Sequence, residues 1–164
     1  AIDPTIFKLQ SSNPLSWSYI FSGNPATTYS GTSHYIGYTA LNNGGEYQII
    51  THINTLPSLP AGSVVTNAAI NVRHSTFSND SSANYMMMEA HRLTIDKSSG
   101  QTYDNWLKNM TWNNVHPGGA TNYNSRIEDF TKLTSSTTRT YIALDLTRAV
   151  RDCIKTARRI VHCS

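Results

Sequence analysis

The chain contains little cysteine, little charge and no long apolar run. Only two of its 164 residues are cysteines, so the fold cannot depend on a disulfide framework. No apolar run approaches the roughly 18 residues that cross a membrane, so we expect no membrane span. Charged residues make up only 14% of the chain, whereas Ser, Thr, Asn, Gly and Tyr are plentiful. That balance is more typical of a secreted all-β module than of a cytosolic helical enzyme.

The two cysteines leave three states open. Cys153 and Cys163 could pair with each other, remain buried free thiols or link separate chains, and nothing in the sequence chooses among these. Their spacing matches no metal-ligand motif. We take buried free thiols as the default expectation.

The formal net charge of +3 is concentrated near the end of the chain, and the remainder is nearly balanced. The basic residues of this segment are Arg148, Arg151, Lys155, Arg158 and Arg159. A nucleic-acid-binding protein would show a denser basic face interleaved with aromatic residues. We therefore expect no nucleic-acid partner.

The length suits one domain with a full core and is too short for two, so residues 1–164 are predicted to form a single module. Short segments with alternating apolar residues, separated by turn signals such as Asn42-Asn43-Gly44-Gly45, predict strands. The predicted strands lie at residues 6–9, 17–21, 35–38, 46–54, 64–74, 85–93, 139–145 and 159–163. No element is assigned to the polar stretch 120–136.

One helix is predicted after the strand 139–145. Thr147 can cap it, and apolar residues then recur at three-to-four spacing and form a stripe. The stripe consists of Leu146, Ala149, Val150, Cys153, Ile154 and Ala157. The strands and this helix together predict an all-β fold, an antiparallel β-sandwich of jelly-roll type with one short helix near the C-terminus.

The segment Thr111-Trp112-Asn113-Asn114-Val115-His116-Pro117 joins a large indole to two turn-forming amides and a proline. Asn favours turns, and Pro removes a backbone donor. The segment therefore predicts a buried Trp112 followed by a turn between strands, and not a catalytic centre.

Five motifs, in this order along the chain, carry a resemblance to a known family. They are Leu56-Pro57-Ser58-Leu59-Pro60-Ala61-Gly62-Ser63, Ala68-Ala69-Ile70-Asn71-Val72, His91-Arg92-Leu93-Thr94, Thr111-Trp112-Asn113-Asn114 with Pro117, and Leu144-Asp145-Leu146-Thr147 with Val150. Together they resemble the DNRLRE-type carbohydrate-binding module family over roughly residues 35–155. The resemblance implies a secreted or cell-surface β-sandwich module of a bacterial or archaeal protein.

The chain departs from this family near its end. The family usually carries a tryptophan where Cys153 stands, and a glycine-led last strand where this chain has Ala157-Arg158-Arg159-Ile160-Val161. An open edge that another chain completes is one consequence to expect.

The sequence offers no convergent catalytic set. Asp145, at a strand end before a helix, is expected to accept hydrogen bonds from backbone N–H groups near the helix start. Glu89 and His91 are expected to be an exposed pair on one strand face. We therefore expect no enzyme activity.

No cofactor is expected, and a structural calcium ion stays an open alternative. The six histidines are scattered without ligand spacing, which argues against zinc. Loose candidates for oxygen ligands of calcium are Asp3, Asn79, Asp80 and Asp96.

A sugar site needs an aromatic platform beside polar or charged groups. Trp17, Trp106 and several tyrosines are the platform candidates, and Trp112 is expected to be core. For an acidic sugar, Arg73 projects from its strand opposite Ile70 and Val72, with His52, His91 and Arg92 as candidate neighbours.

The main functional hypothesis is a non-catalytic extracellular module that binds polysaccharide, neutral or acidic, and tethers or displays a larger protein. The alternative is a purely structural or adhesive module that associates with other modules of the same or a parent surface protein. An exposed aromatic residue and a cation on one concave face would favour the first.

Overall fold

The computed structural model describes residues 15–40, 43–53, 59–77 and 84–157. Two of the predicted strands, 6–9 and 159–163, lie outside the described residues. So do Cys163 and the calcium candidates Asp3, Asn79 and Asp80.

Strands dominate the described part of the chain, as the sequence predicts. The strands are β1 Leu15–Phe21, β2 Gly37–Thr39, β3 Gly45–Ile53, β4 Ala69–Arg73, β5 Tyr85–Leu93, β6 Tyr123–Thr134 and β7 Tyr141–Asp145. The helices are α1 Tyr103–Lys108, α2 Trp112–Val115 and α3 Thr147–Ala157, with short 3-10 turns at Pro117–Gly119 and Ser135–Thr137. No helix in the described ranges is both long and apolar enough to cross a membrane.

The strands form three small antiparallel sheets where the sequence predicts two. The strand orders are β1-β3-β2, β4-β7 and β5-β6. Strands β6 and β7 approach each other, but the Asp129 carboxylate accepts the Asp145 backbone N–H at 2.7 Å. The Asp129 side chain thus binds a backbone N–H of β7 that would otherwise be available to the backbone of β6. The pairs β4-β7 and β5-β6 remain separate sheets.

Two clusters of buried side chains hold these elements together. The helix-side core joins β1 and β3 to α1 and α2 through Ile20, Ile50, Leu107, Met110 and Val115. The sheet-side core joins β4 and β7 to β5 and β6 through Ile70, Met88, Leu133, Ile142 and Leu144. Because side chains alternate along β1, Ile20 lies in the helix-side core, whereas Leu15 and Trp17 pack against the sheet-side core. Sheet β1-β3-β2 therefore contacts both cores.

The segment 103–115 contains two short helices, α1 and α2, which corrects the predictions of a single late helix and of a turn at Trp112. Thr102 caps α1 by accepting from the Asn105 N–H, and Thr111 caps α2 by accepting from the Asn114 N–H. The Asn114 side chain accepts the Thr111 N–H in return, at 2.8 Å. This reciprocal capping satisfies backbone donors that a helix start leaves unpaired, which stabilises a one-turn helix.

Trp112 is half-buried and packs against the helix-side core. Its ring stacks on His116 at 4.0 Å. The indole is thus only partly buried, where the sequence predicts a buried one, and it begins a helix that leads into the 3-10 turn Pro117–Gly119.

Strand β6 is the element that the sequence does not predict. Six of its twelve residues are exposed, and only Leu133 is buried. A register shift also lies between the pairs Ala90–Asp129 and His91–Ile127, so Glu128 has no opposite residue. An extra residue breaks the two-residue period that identifies strands.

The C-terminal helix α3 begins at Thr147, as predicted. Asp145 accepts the Thr147 N–H at 2.8 Å, which confirms the expected role of this carboxylate at the helix start. These hydrogen bonds from Thr147 hold the pKa of Asp145 below its usual range. The Thr147 hydroxyl accepts the Ala68 N–H at 2.9 Å and so ties the helix to the start of β4.

Cys153 is disulfide-bonded, so the expectation of a free buried thiol is wrong for this residue. Its side chain lies half-buried on α3 and is not sealed inside either core. A partly exposed cysteine thiol can react to form a disulfide, whereas a fully buried thiol is unreactive.

Candidate functional site

The two-stranded sheet β4-β7 has one face in the core and one in solvent. Ile70, Ile142 and Leu144 are buried. The first, third and fifth residues of each strand are exposed. We call this set the outer face: Ala69, Asn71, Arg73, Tyr141, Ala143 and Asp145. Strict alternation on both strands orients these six side chains away from the sheet-side core.

Arg73 and Tyr141 are direct cross-strand partners on the outer face. Tyr141 is 72% exposed. Partners in an antiparallel pair have Cβ atoms about 4.5–5.5 Å apart, so both side chains reach one ligand. The prediction that Arg73 projects from the sheet opposite Ile70 and Val72 agrees with its exposure.

Neither side chain is engaged elsewhere in the described part of the chain. Arg73 forms no ion pair with a described residue. The basic side chains that contact carboxylates in this part of the chain are those of His91, Arg92, Lys108 and Arg148. The ring of Tyr141 is covered by no cation there, since such contacts involve only Tyr103 and Tyr85. A charged guanidinium and an uncovered aromatic ring thus stand side by side in solvent.

The next rung of the outer face pairs Asn71 with Ala143. Asn71 adds an amide that both donates and accepts hydrogen bonds, and Ala143 leaves room beside Tyr141. Asp145 lies at the far end, opposite Ala69. The Arg73 end of the face is therefore cationic and aromatic, and the other end is acidic.

A second aromatic region, the tyrosine cluster, lies on sheet β1-β3-β2 and the loop after β1. We define it as Tyr19, Phe21, Tyr29, Tyr35 and Tyr47. Tyr19 stacks on Tyr29 at 4.8 Å, and Phe21 stacks on Tyr47 at 4.2 Å. Tyr35 contacts Tyr19 and Tyr47 at centroid distances of 5.4 and 5.6 Å.

The cluster changes the acidity of its own members. Burial raises the pKa of Tyr19 and of Tyr47, and neighbouring tyrosines raise both further. His34 lies between Trp17 and Tyr19. Burial lowers its pKa, because a charged imidazolium loses hydration among rings. Its Nε2 atom is buried and has no hydrogen-bond partner among the described residues.

The six candidate ligand residues do not meet at one place. Arg73 lies on the outer face, whereas Trp17 is half-buried beside His34 and packs against the sheet-side core. The register pairs Trp17 with Thr51 and Ser16 with His52, so Trp17 and His52 point to opposite faces of their sheet.

His52 belongs to the interior, and Trp106 is half-buried. His52 is 4% exposed and stacks on Tyr103 at 3.5 Å. Trp106 packs against the helix-side core and contacts the same tyrosine edge-on. The Tyr103 hydroxyl donates a hydrogen bond to the Asp96 carboxylate. Burial, together with this carboxylate, raises the pKa of Tyr103 to about 12. A surface polysaccharide does not reach His52.

His91 and Arg92 are engaged in ion pairs on sheet β5-β6. His91 Nε2 lies 3.2 Å from Glu89, the strand-face pair that the sequence predicts. Arg92 bonds Glu128 at 2.9 Å and Asp152 at 3.1 Å. Arg148 holds the same Glu128, whose side chain is only 2% exposed. This network joins β5, β6 and α3 and leaves little of the Arg92 charge for a ligand.

Tyr141 and Asn71 are the outer-face residues that the sequence does not select as ligands. The alternation over 139–145 already opposes Tyr141 to the apolar positions, which was a usable signal. What the sequence lacks is the register that sets Tyr141 beside Arg73, since these residues are far apart in the chain.

The described ranges contain no group of three or more His, Cys, Asp or Glu side chains arranged for a metal ion. Asp96, the calcium candidate that they include, instead accepts the Tyr103 hydroxyl and the Lys97 N–H. Comparisons with known proteins add no candidate: no family model matches the chain, and no curated protein or solved structure matches it.

Proposed function

We propose that the chain is a non-catalytic extracellular module that binds polysaccharide through the outer face and tethers or displays a larger protein. The observation that carries this proposal is the cross-strand pair of Arg73 and Tyr141, a cation and an exposed ring on one sheet face. The resemblance to the DNRLRE-type carbohydrate-binding modules supports it from the sequence side.

The chemistry of the pair suits a sugar. The apolar face of a pyranose stacks on an aromatic ring, and amides or charges beside the ring fix the hydroxyls. Tyr141 supplies the ring and Asn71 the amide. The guanidinium of Arg73 presents a planar fork of donors that matches a carboxylate, so acidic glycans should bind more tightly than neutral ones.

The architecture we propose is a β-sandwich of jelly-roll type. The buried faces of β4-β7 and β5-β6 share the sheet-side core, and Leu15 and Trp17 of β1 pack against it. Sheets whose inner faces share a core while their outer faces meet solvent are the basis of a sandwich. An experimental structure of the whole chain tests this topology.

Affinity gel electrophoresis against neutral and acidic polysaccharides, with and without EDTA, tests the function. We expect an acidic polysaccharide to retard the chain and Arg73→Ala to weaken that retardation. Tyr38→Ala is the matched control, because Tyr38 is 77% exposed but pairs across the strands with Glu46. Unchanged retardation of Arg73→Ala would refute the proposed site.

The EDTA arm tests the calcium alternative. Binding that survives EDTA is expected if the outer face acts through its own side chains. Binding that EDTA abolishes would place a cation in the site and contradict the account of Arg73.

A structural or adhesive module is the second candidate function. The observation that favours it is a different exposed surface, on β5 and β6, where Met87 and Phe130 are 44% and 62% exposed. Contiguous apolar side chains in solvent mark protein contacts more often than sugar sites.

A further inference from the structure

Sheet β5-β6 exposes an unusual share of the apolar surface. Four of the eight large hydrophobic side chains that the described residues expose lie on these two strands: Tyr85, Met87, Ile127 and Phe130. The opposite side of the same sheet is in the sheet-side core through Met88 and Leu133. The outward apolar side chains are therefore additional to those the fold needs.

The strand register places these side chains on one face. Met87 pairs with Lys132, and Glu89 pairs with Phe130 on the next outward rung. Partners in a ladder share a face, and alternate residues of one strand share it as well. We call the set Tyr85, Met87, Glu89, Phe130 and Lys132 the ribbon face.

The ribbon face carries one charge of each sign at diagonal positions. Lys132 is on β6 at the Met87 rung, and Glu89 is on β5 at the Phe130 rung. The Lys132 ammonium lies 4.3 Å from the centre of the Tyr85 ring, and Glu89 lies 3.2 Å from His91. Met87 and Phe130 occupy the other diagonal of the same square.

We propose that the ribbon face is the contact between two copies of this chain. A two-fold axis lying in the face along the Met87–Phe130 diagonal brings Lys132 of each copy onto Glu89 of the other. The same axis sets each apolar residue against its own counterpart. A surface complementary to itself in this way forms a closed two-fold dimer.

Charge complementarity selects a second copy as the occupant. An uncharged partner surface would offer Lys132 and Glu89 no opposite charge across the interface. A partner surface with charges of a single sign would repel either Lys132 or Glu89. The face consists of five residues, far fewer than the roughly 20–30 per partner of a stable complex, so the dimer should form only at high protein concentration.

Sedimentation equilibrium of the 164-residue chain over a wide concentration range tests the dimer. The mass is expected to rise from that of one chain toward that of two. Phe130→Ser should keep the mass at one chain, whereas Tyr38→Ser, on another sheet, should leave the rise unchanged. A strictly monomeric wild-type chain overturns the proposal, as does a rise that Phe130→Ser does not affect.

A charge exchange tests the two-fold arrangement itself. Lys132→Glu and Glu89→Lys should each weaken self-association by about tenfold, since like charges then face each other across the axis. An equimolar mixture of the two variants should form a mixed dimer, because every facing pair is again opposite in charge. A mixture that associates no better than its components contradicts the arrangement. Circular dichroism of each variant checks that its fold is intact.

Discussion

The tyrosine cluster and the outer face of β4-β7 both contain aromatic rings near solvent, but their rings touch different things. In the cluster, Tyr19 and Tyr29 stack on each other, and Tyr35 contacts two further rings. On the outer face, Tyr141 has only Arg73 across from it. A ring whose faces are packed against other rings already stabilises the fold. We therefore propose that the cluster stabilises the fold and that Tyr141 binds ligand.

The largest expected effect is on the stability of the cluster. Phe21 is 1% exposed and stacks on Tyr47, so Phe21→Ala should lower the free energy of unfolding by about 3–5 kcal/mol. Urea denaturation followed by circular dichroism measures the change. Polysaccharide binding of the variant, measured where it is still folded, should be retained. A loss below about 1 kcal/mol would show that the cluster is not a structural unit.

On the outer face, a substitution is expected to change the polysaccharide affinity and to leave the free energy of unfolding nearly unchanged. Tyr141→Ala removes an exposed ring, so its unfolding free energy should stay within about 0.5 kcal/mol of the wild type. Its affinity for polysaccharide should fall by roughly tenfold, as expected when a stacking ring is lost. Isothermal titration calorimetry and urea denaturation of the same preparation separate the two quantities. A large loss of stability with unchanged affinity would reverse the assignment.

The acid dependence of stability should come partly from His34. Burial lowers its pKa in the folded chain, so the unfolded chain binds more protons at mildly acidic pH. The His34 contribution is complete above the unfolded pKa of about 6.5 and is lost as pH falls toward the folded value. His34→Gln should therefore make unfolding less dependent on pH between about 7 and 5. An unchanged pH slope would mean that another group carries the effect.

The smallest expected effect is spectroscopic and concerns the ionisation of three tyrosines in alkali. Tyr19 and Tyr47 have raised pKa values, and that of Tyr103 is about 12. Folded chains should therefore retain un-ionised tyrosine at pH values where unfolded tyrosines, with a pKa of about 10, have titrated. Absorbance titration at alkaline pH measures this, and Tyr19→Phe should reduce the late-titrating fraction. Each raised pKa also means that stability falls as pH rises above the unfolded value.

The sequence predicts strands where alternation is regular and local. The range 85–93 matches β5, and the alternation at Tyr141 to Asp145 matches β7. Strand β6 is missed because only one of its twelve residues is buried and a bulge at Glu128 interrupts its period. Helices α1 and α2 are missed because each is too short to show a helical stripe. Their signals were the threonine caps Thr102 and Thr111.

The candidate site was predictable only in part. The orientation of Arg73 follows from alternation in its own strand. Its neighbour Tyr141 follows only from the pairing of β4 with β7, which depends on long-range contacts that no local pattern encodes. His52 alternates like a surface residue, but α1 covers that face of β3 and encloses it.

The most direct test of the comparison is the polysaccharide affinity of Tyr141→Ala beside that of Tyr35→Ala, measured by calorimetry on one acidic polysaccharide. Both rings are exposed, at 72% and 58%, so the two variants remove similar amounts of accessible aromatic surface. Affinity is expected to fall for Tyr141→Ala and to be unchanged for Tyr35→Ala. Loss of affinity in Tyr35→Ala with full binding by Tyr141→Ala would contradict this expectation and move the site to the tyrosine cluster.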